Sequence, residues 1–128
     1  MNKECIILNT GALCFEVFLY DTAAARSLVL TLPQKIRMNR WGDEYYGELS
    51  QRIRHDGDAE RDVFEVGEVA LWPAGNALCI FFGPTPVSRN GEPRMASKGV
   101  PLGRIAGDVS ALKKLPDILD DVAITLKA

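Results

Sequence analysis

The sequence predicts a mainly β protein, a closed barrel of eight short strands with two short helices outside it. Three observations favour this fold class. Apolar side chains alternate along residues 13–20, residues 66–88 contain two strands joined by a Pro-Gly-Asn loop, and only two segments have helical spacing. Many short strands favour a closed barrel because closure removes the exposed strand edges that invite aggregation.

A hairpin is predicted at the start of the chain, from residues 5–9 and 13–20. The alternation places Phe18 and Tyr20 on the second face of the latter strand. We expect another element to cover that face, because it carries two aromatic side chains.

One helix of about three turns is predicted next. Asp21 or Thr22 would cap it, and Pro33 would end it because proline cannot continue a helix. Further strands are predicted at residues 34–39 and 45–49, before and after the loop at 73–76, at 100–105 and at the C-terminus. Residues 50–62 are predicted to form a polar loop. A second helix is predicted near the C-terminus, capped by Asp108 or Ser110.

The strand after residue 76 is predicted to be central in the sheet. It is apolar on both faces, which is typical of a strand buried on both sides. Gly75 is expected to supply a positive φ in the loop before it. The predicted barrel interior consists of Phe15, Val17, Leu78, Ile80, Phe82, Ile105 and Ile124.

Size and charge limit the class of protein. A chain of 128 residues predicts one domain over residues 1–128, large enough to bury roughly two-thirds of its surface without disulfides or metal. The net charge is −2 and no basic run is present, so we expect no nucleic-acid partner. The apolar segment at residues 5–8 is too short for a signal peptide or a membrane span, so a cytoplasmic location is expected, with no membrane partner.

Three cysteines, Cys5, Cys14 and Cys79, have no spacing typical of a disulfide framework. Each lies in a strand-like run, where cysteine usually behaves as a small buried apolar residue. We expect all three thiols to be reduced, in keeping with a reducing compartment.

Several motifs resemble the cyclophilin barrel. They are L-Y-D-T-A at residues 19–23, I-F-F at 80–82, and L-G-R-I-A-G-D-V followed by L-K-K-L within 102–115. A closer resemblance is to a short prokaryotic family of cyclophilin-like proteins of unknown function. It is carried by W-G-D-E-x-Y at 41–46 and V-G-E-V-A-x-W-P-x-G-x-A-L-C-I-F-F-G-x-T-P at 66–86. The resemblance implies the barrel fold.

The sequence departs from the active cyclophilins at the positions that carry prolyl isomerase activity in that family. The position of the catalytic arginine corresponds to Met38, with Arg37 and Arg40 nearby in a different register. The Phe-Met-x-Gln set has no counterpart, and the histidine position corresponds to Gly99. Little or no isomerase activity is therefore expected, and in the alternative the catalytic residue would be Arg37, Arg40 or Arg94.

The candidate binding groove is predicted from the segment at 41–46, the strand with the two phenylalanines, and the loop at 89–98. Its candidate residues are Trp41, Asp43, Glu44, Tyr45, Tyr46, Phe81, Phe82 and Arg94. Paired carboxylates beside aromatic rings could line the mouth of a pocket. A turn with exposed acids is the commoner use of such a pair, and Trp72 and Phe82 are more often core residues than a ligand platform.

Other chemistry-bearing residues favour ordinary structural roles. His55, the only histidine, is expected to be a solvated loop residue. The acidic run at residues 56–62 lacks the glycine and the distal glutamate of a calcium loop, so we expect a solvated acidic surface and no metal site. Cys79 has no cationic neighbour in sequence that would lower its pKa, so a core position is expected.

Three functions remain open on this sequence. The first is binding of an unknown small molecule or peptide in the cyclophilin groove, without strong catalysis and without a cofactor. The second is weak peptidyl-prolyl isomerase activity, which an arginine directed into the groove would favour. The third, by fold analogy, is a subunit or domain-like partner of larger carboxamide-hydrolysing enzymes. Acids lining the groove would favour a cationic or polar ligand.

Overall fold

Eight antiparallel strands close into a barrel in the computed structural model, which describes residues 4–127. The strands of this part of the chain are β1 (Cys5–Asn9), β2 (Cys14–Leu19), β3 (Gln34–Arg40), β4 (Glu44–Glu48), β5 (Arg61–Val63), β6 (Glu68–Trp72), β7 (Ala77–Phe81), β8 (Arg94–Ile105) and β9 (Ile118–Leu126). The order around the barrel is β2-β1-β9-β3-β4-β7-β6-β8, and pairing of β2 with β8 closes it. The predicted barrel of eight strands is confirmed, and β5 is an additional strand on the edge of β8.

The barrel interior is filled by the alternate apolar side chains of its strands, as strand geometry requires. Of the predicted interior residues, only Phe15 is half-buried, at the edge of the core. The other six are buried: Val17, Leu78, Ile80, Phe82, Ile105 and Ile124.

The α-helix α1 (Ala23–Val29) is about two turns long, one turn shorter than predicted. Of the two predicted caps, Thr22 is the one used, and its Oγ1 atom accepts a hydrogen bond of 3.1 Å from the backbone N–H of Ala25. Asp58 accepts two more, of 2.9 and 2.8 Å, from the N–H groups of Ala23 and Ala24. The expectation that the whole acidic run is solvated is therefore wrong, because Asp58 satisfies a helix terminus.

Two short segments differ from the predicted backbone. The second predicted helix is a 3-10 turn, Ser110–Lys114, and it has no side-chain cap. In the loop between β6 and β7, Asn76 rather than Gly75 adopts the positive φ, at 47°. Asparagine tolerates this conformation better than most residues, so the glycine is not needed there for its φ.

Strand β8 begins six residues earlier than the predicted start at residue 100. Its first part pairs with β5, where Arg61 faces Gly99 and Val63 faces Arg94. This extension brings Met95 onto the outside of the barrel, where it packs in a second apolar cluster. The cluster consists of Phe64, Ala70, Cys79, Phe81 and Met95, with Tyr46 and Trp72 at its border.

The N-terminal hairpin is less covered than expected. Phe18 is 45% exposed, so no element within residues 4–127 covers that part of the second face of β2. Cys14 is exposed and Cys5 half-buried, and only Cys79 has the buried position predicted for all three. All three cysteines are unpaired.

Between residues 4 and 127 no helix has the length and apolar character needed to cross a membrane.

Candidate functional site

An open cavity of about 280 Å³ lies on the outside of the barrel wall. It is lined by Trp41, Glu44, Tyr46, Trp72, Met95 and Ala96. We call it the outer pocket. Three of the six residues are aromatic and one is a carboxylic acid, a combination of apolar walls with one polar group that is typical of small-molecule sites.

Alternation along β4 decides which predicted residues reach the outer pocket. Glu44 and Tyr46 face outwards, whereas Tyr45, between them, points into the barrel and is fully buried. Tyr45 stacks there on Phe82, with ring centroids 5.5 Å apart. The prediction that Tyr45 and Phe82 line the groove is therefore wrong, since neighbouring residues of a strand point to opposite faces.

The turn that carries Trp41 is held by Arg40. The guanidinium of Arg40 donates hydrogen bonds to the carbonyl of Gly42 (2.8 Å), to Asp43 Oδ1 (2.8 Å) and to the carbonyl of Lys113 (3.0 Å). Gly42 has φ of 62°, and a Cβ atom there would lie 2.8 Å from Pro86 Cδ, so both conformation and space require glycine. These contacts fix the turn between β3 and β4, which presents Trp41 and Glu44 to the outer pocket.

Trp72 forms the opposite side of the outer pocket from the end of β6. Its indole N–H donates a hydrogen bond of 2.7 Å to Ser97 Oγ. A Cβ atom on Gly75 would lie 3.0 Å from the indole ring, so this glycine makes room for the tryptophan. Trp72 is half-buried rather than part of the core, contrary to the expectation for it.

Glu44 is the buried acid of the outer pocket. Glu44 is only 3% exposed. Its Oε1 atom accepts no hydrogen bond from any residue between 4 and 127. Burial raises the pKa of this carboxyl to about 7, and a hydrogen bond from the Cys79 thiol lowers it only in part. The expectation that Asp43 and Glu44 are both exposed turn acids is therefore wrong for Glu44. With a pKa of about 7, its carboxyl is half-ionised near neutral pH.

Cys79 is a neighbour of this carboxyl rather than a nucleophile. It lies opposite Tyr46 in the pairing of β4 with β7. Burial raises the pKa of the thiol well above its usual value, and the nearby Glu44 carboxylate raises it further. The thiol is therefore protonated at neutral pH and serves as a weak donor in the apolar cluster.

The remaining predicted site residues lie outside the outer pocket. Phe81 is fully buried under Phe64, with ring centroids 4.8 Å apart. Asp43 pairs with Arg40, at 2.8 Å. Arg94 is paired with Glu92, at 2.7 Å, and with Asp62, at 3.1 Å.

The arginines proposed for isomerisation are not directed into the outer pocket. Arg40 is held by its three acceptors, with its guanidinium 5.1 Å from the ring centroid of Phe82, which belongs to the barrel core. Arg37 is exposed on β3 and is not part of the pocket lining. Met38, at the position that corresponds to the catalytic arginine, is fully buried in the core.

Three lining residues are not among the individually predicted candidates: Trp72, Met95 and Ala96. Met95 and Ala96 nevertheless lie in the segment at 89–98 that is predicted to form part of the groove. Trp72 belongs to the V-A-x-W-P stretch of the motif at residues 66–86, but the motif alone does not show that its indole lines a cavity. Met95 and Ala96 belong to the early part of β8, which was expected to be a loop. Loop and strand are hard to separate there because the segment contains few β-forming residues.

His55 is half-buried in the connection between β4 and β5, and it is not part of the outer pocket. Within residues 4–127 no three His, Cys, Asp or Glu side chains are grouped in a way that could hold a metal ion.

The closed eight-stranded barrel with its outer-face pocket defines a protein of the cyclophilin class of folds. The family model described as cyclophilin-like matches residues 4–125, and the chain belongs to this family. Among solved structures, the chain is similar to the solution structure of a hypothetical protein from Archaeoglobus fulgidus. The two share 32% sequence identity over 98% of this chain and 95% of that one, with a TM-score of 0.82. The comparison with curated proteins finds no significant match.

Proposed function

We propose that this cyclophilin-like protein binds a small molecule, or the end of a peptide, in the outer pocket and is not a strong catalyst. The observation that carries the proposal is the Glu44 carboxyl, which is buried, lines the cavity and has an oxygen without a partner among residues 4–127. Buried polar groups are nearly always hydrogen-bonded, so an orphaned one in a cavity is a natural contact for a ligand.

The surroundings of Glu44 support a preformed site. Trp41 is fixed by the turn that Arg40 holds, and Trp72 is fixed by Ser97 and by the space that Gly75 leaves. Side chains held in place before binding lose little freedom when a ligand arrives, so more of the contact energy appears as affinity.

Weak prolyl isomerase activity is the alternative, and the arrangement of arginines argues against it. Cyclophilin catalysis, by resemblance, uses a guanidinium over the prolyl ring. In this chain Arg40 is engaged by three acceptors and Arg37 is not part of the pocket lining. The barrier to X-Pro isomerisation is near ~20 kcal/mol, so useful catalysis requires several kcal/mol of specific stabilisation.

Binding can be tested through the intrinsic fluorescence of tryptophan. The chain contains two tryptophans, Trp41 and Trp72, and both line the outer pocket. A panel of small amines, carboxylic acids, amides and Ala-Pro peptides is titrated into the protein. We expect at least one chemical class to change the emission saturably.

Two variants locate the binding site. Ala96→Phe fills the outer pocket and should remove the response, whereas Ala111→Phe, the same change on an exposed turn, should keep it. A panel without any saturable response, or binding that survives Ala96→Phe, would overturn the proposal.

The isomerase alternative has its own assay. In a protease-coupled assay with Ala-Pro peptides, we expect the protein to leave the uncatalysed rate unchanged. If the protein accelerated isomerisation as much as ordinary cyclophilins do, and Arg37→Ala or Arg40→Ala abolished this activity, the proposed function would be wrong and the protein would be an isomerase.

A further inference from the structure

We infer that the outer pocket takes an organic ammonium ion, which pairs with Glu44 inside a cage of aromatic rings. The inference rests on the proposed function and adds the chemistry of the ligand. It is carried by two independent features of the pocket: the buried Glu44 carboxyl, whose Oε1 atom has no hydrogen-bond partner among residues 4–127, and the three aromatic walls.

The ionised Glu44 carboxylate would be stabilised by a cation in the outer pocket. An ionised carboxylate out of water is strongly unfavourable unless a positive charge or hydrogen-bond donors compensate it. The turn beside Glu44 contains a guanidinium, that of Arg40, but its donors are directed to Gly42, Asp43 and Lys113. The compensating charge for Glu44 is therefore left for a ligand to bring.

The aromatic walls favour an organic cation over a metal ion. Trp41, Tyr46 and Trp72 line the outer pocket. The negative face of an aromatic ring quadrupole attracts ammonium groups and, above all, alkylated ones. Calcium and magnesium instead require about six oxygen ligands. The lining provides one carboxylate and one phenol, with two indole rings, a thioether and a methyl group as its other members, so it does not match a hard metal ion.

The volume limits the size of the ligand. About 280 Å³ is near the lower end of the range for ligand sites, roughly 300–1,000 Å³. At about 30 Å³ per water molecule in the liquid, it corresponds to about nine waters. A small amine with two or three alkyl substituents on nitrogen fits this space, whereas a folded protein segment does not.

Binding of such a cation is coupled to release of a proton. Because the pKa of Glu44 is raised to about 7, the empty pocket holds the neutral acid at mildly acid pH, and a cation must displace that proton. Among residues 4–127, the titratable side chain that acts on the pKa of Glu44 is the Cys79 thiol of β7, and Tyr46 of its own strand lines the same pocket. Met95 and Ala96 of β8 bring no titratable group, and the Asp43 carboxylate is paired with Arg40.

A matched pair of probes tests the charge. Choline and 3,3-dimethylbutan-1-ol have the same shape and differ by a positively charged nitrogen in place of a carbon. Titrated against tryptophan emission, choline should bind with a Kd of about 1 mM or tighter and at least about 10-fold more tightly than the neutral alcohol.

Substitution and pH assign the effect to the carboxylate. Glu44→Gln should weaken the binding of choline about 10-fold to 100-fold and leave the affinity for the neutral alcohol unchanged. Glu48→Gln, an exposed acid farther along the same strand, should change neither. In the unsubstituted protein, choline should bind about 30-fold more weakly near pH 5.5 than near pH 8.5, the ratio of ionised fractions for a pKa of about 7.

Each contrary result overturns the inference. Equal affinity for choline and the alcohol, unchanged choline binding by Glu44→Gln, or no choline binding at all would exclude an ammonium site. The proposed function would survive any of these if another class in the panel still bound and lost its binding in Ala96→Phe. The proposed function would fail together with the inference if the whole panel gave no response, or if all binding survived Ala96→Phe.

Discussion

Glu44 and Glu68 are two buried carboxylates on the wall of one barrel, 3% and 1% exposed. Glu68 is surrounded by donors. It accepts hydrogen bonds from the guanidinium of Arg61 (3.0 and 2.6 Å), the hydroxyl of Tyr20 (2.8 Å) and the N–H of Glu65 (2.8 Å). Glu44 has the thiol of Cys79 beside it and an oxygen without a partner among residues 4–127.

The difference in partners reverses the direction of the pKa shift. Burial alone raises the pKa of Glu68, but the hydrogen bonds from Arg61, the Glu65 backbone and Tyr20 outweigh it and bring the pKa below its ordinary value. At Glu44 burial prevails, and the pKa rises to about 7. Similar burial therefore makes one acid a permanent structural anion and leaves the other able to change its charge near neutral pH.

The largest expected effect is a gain of stability on removing the buried carboxyl of Glu44. In the folded state Glu44 holds its proton more tightly than in the unfolded chain, so folding loses stability as pH rises from about 4.5 to about 7. The full loss above that range corresponds to about 3 kcal/mol. Glu44→Gln should therefore be more stable than the unsubstituted protein by about this amount near pH 8, with little difference at acid pH.

Urea denaturation at both pH values measures this gain. Glu48→Gln serves as the control, because its carboxylate is exposed on the same strand and should leave stability within about 0.5 kcal/mol. If Glu44→Gln were equally destabilising at both pH values, the carboxyl would have an unrecognised partner and the contrast with Glu68 would fail.

A smaller effect of opposite sign, a loss of stability, is expected when Glu68 loses its guanidinium partner. Arg61→Ala removes two hydrogen bonds to Glu68 and should destabilise the fold by about 2 kcal/mol near pH 7. The folded pKa of Glu68 is depressed, so the stability that the pair contributes is present above the ordinary value of 4.5 and is lost as pH falls through the folded pKa.

The destabilisation by Arg61→Ala should accordingly shrink on acidification, as followed by urea denaturation. Arg104→Ala provides the matched control, since Arg104 pairs with the exposed carboxylate of Glu65 and should change stability by less than about 1 kcal/mol. A destabilisation by Arg61→Ala that did not depend on pH would point to lost packing on Phe64, which lies 4.6 Å from the guanidinium.

The smallest expected effect is spectroscopic. Since Trp41 and Trp72 both line the outer pocket, ionisation of Glu44 should change tryptophan emission with a midpoint at a pH of about 7. The transition should vanish in Glu44→Gln and persist in Arg61→Ala. A transition that persists without Glu44 would assign the titration to another group.

Much of the fold could be predicted from local patterns. The alternation in Val17, Leu78 and Ile80 identified interior residues, and the long motif at 66–86 indicated the family, because strand period and turn residues are properties of neighbouring positions. Phe18 was misjudged because alternation defines two faces without telling which one is covered.

The candidate site was only partly predictable. Trp41, Glu44 and Tyr46 were identified, but the strand period applied to β4 would already have separated Tyr45 from them. The burial of Glu44 and the positions of Trp72 and Met95 arise from contacts between strands that are distant in sequence. Such contacts depend on sheet order, which local periodicity does not contain.

The extension of β8 has a consequence for how this barrel can diversify. Its second part, residues 100–105, belongs to the barrel wall, whereas residues 94–99 lie beyond that wall and supply Met95 and Ala96 to the outer pocket. Insertions or deletions in the preceding connection, residues 82–93, would reshape one side of the cavity while leaving the closed ring of strands intact. Relatives with the same barrel could in this way recognise different ligands, with the change confined to a short stretch of chain.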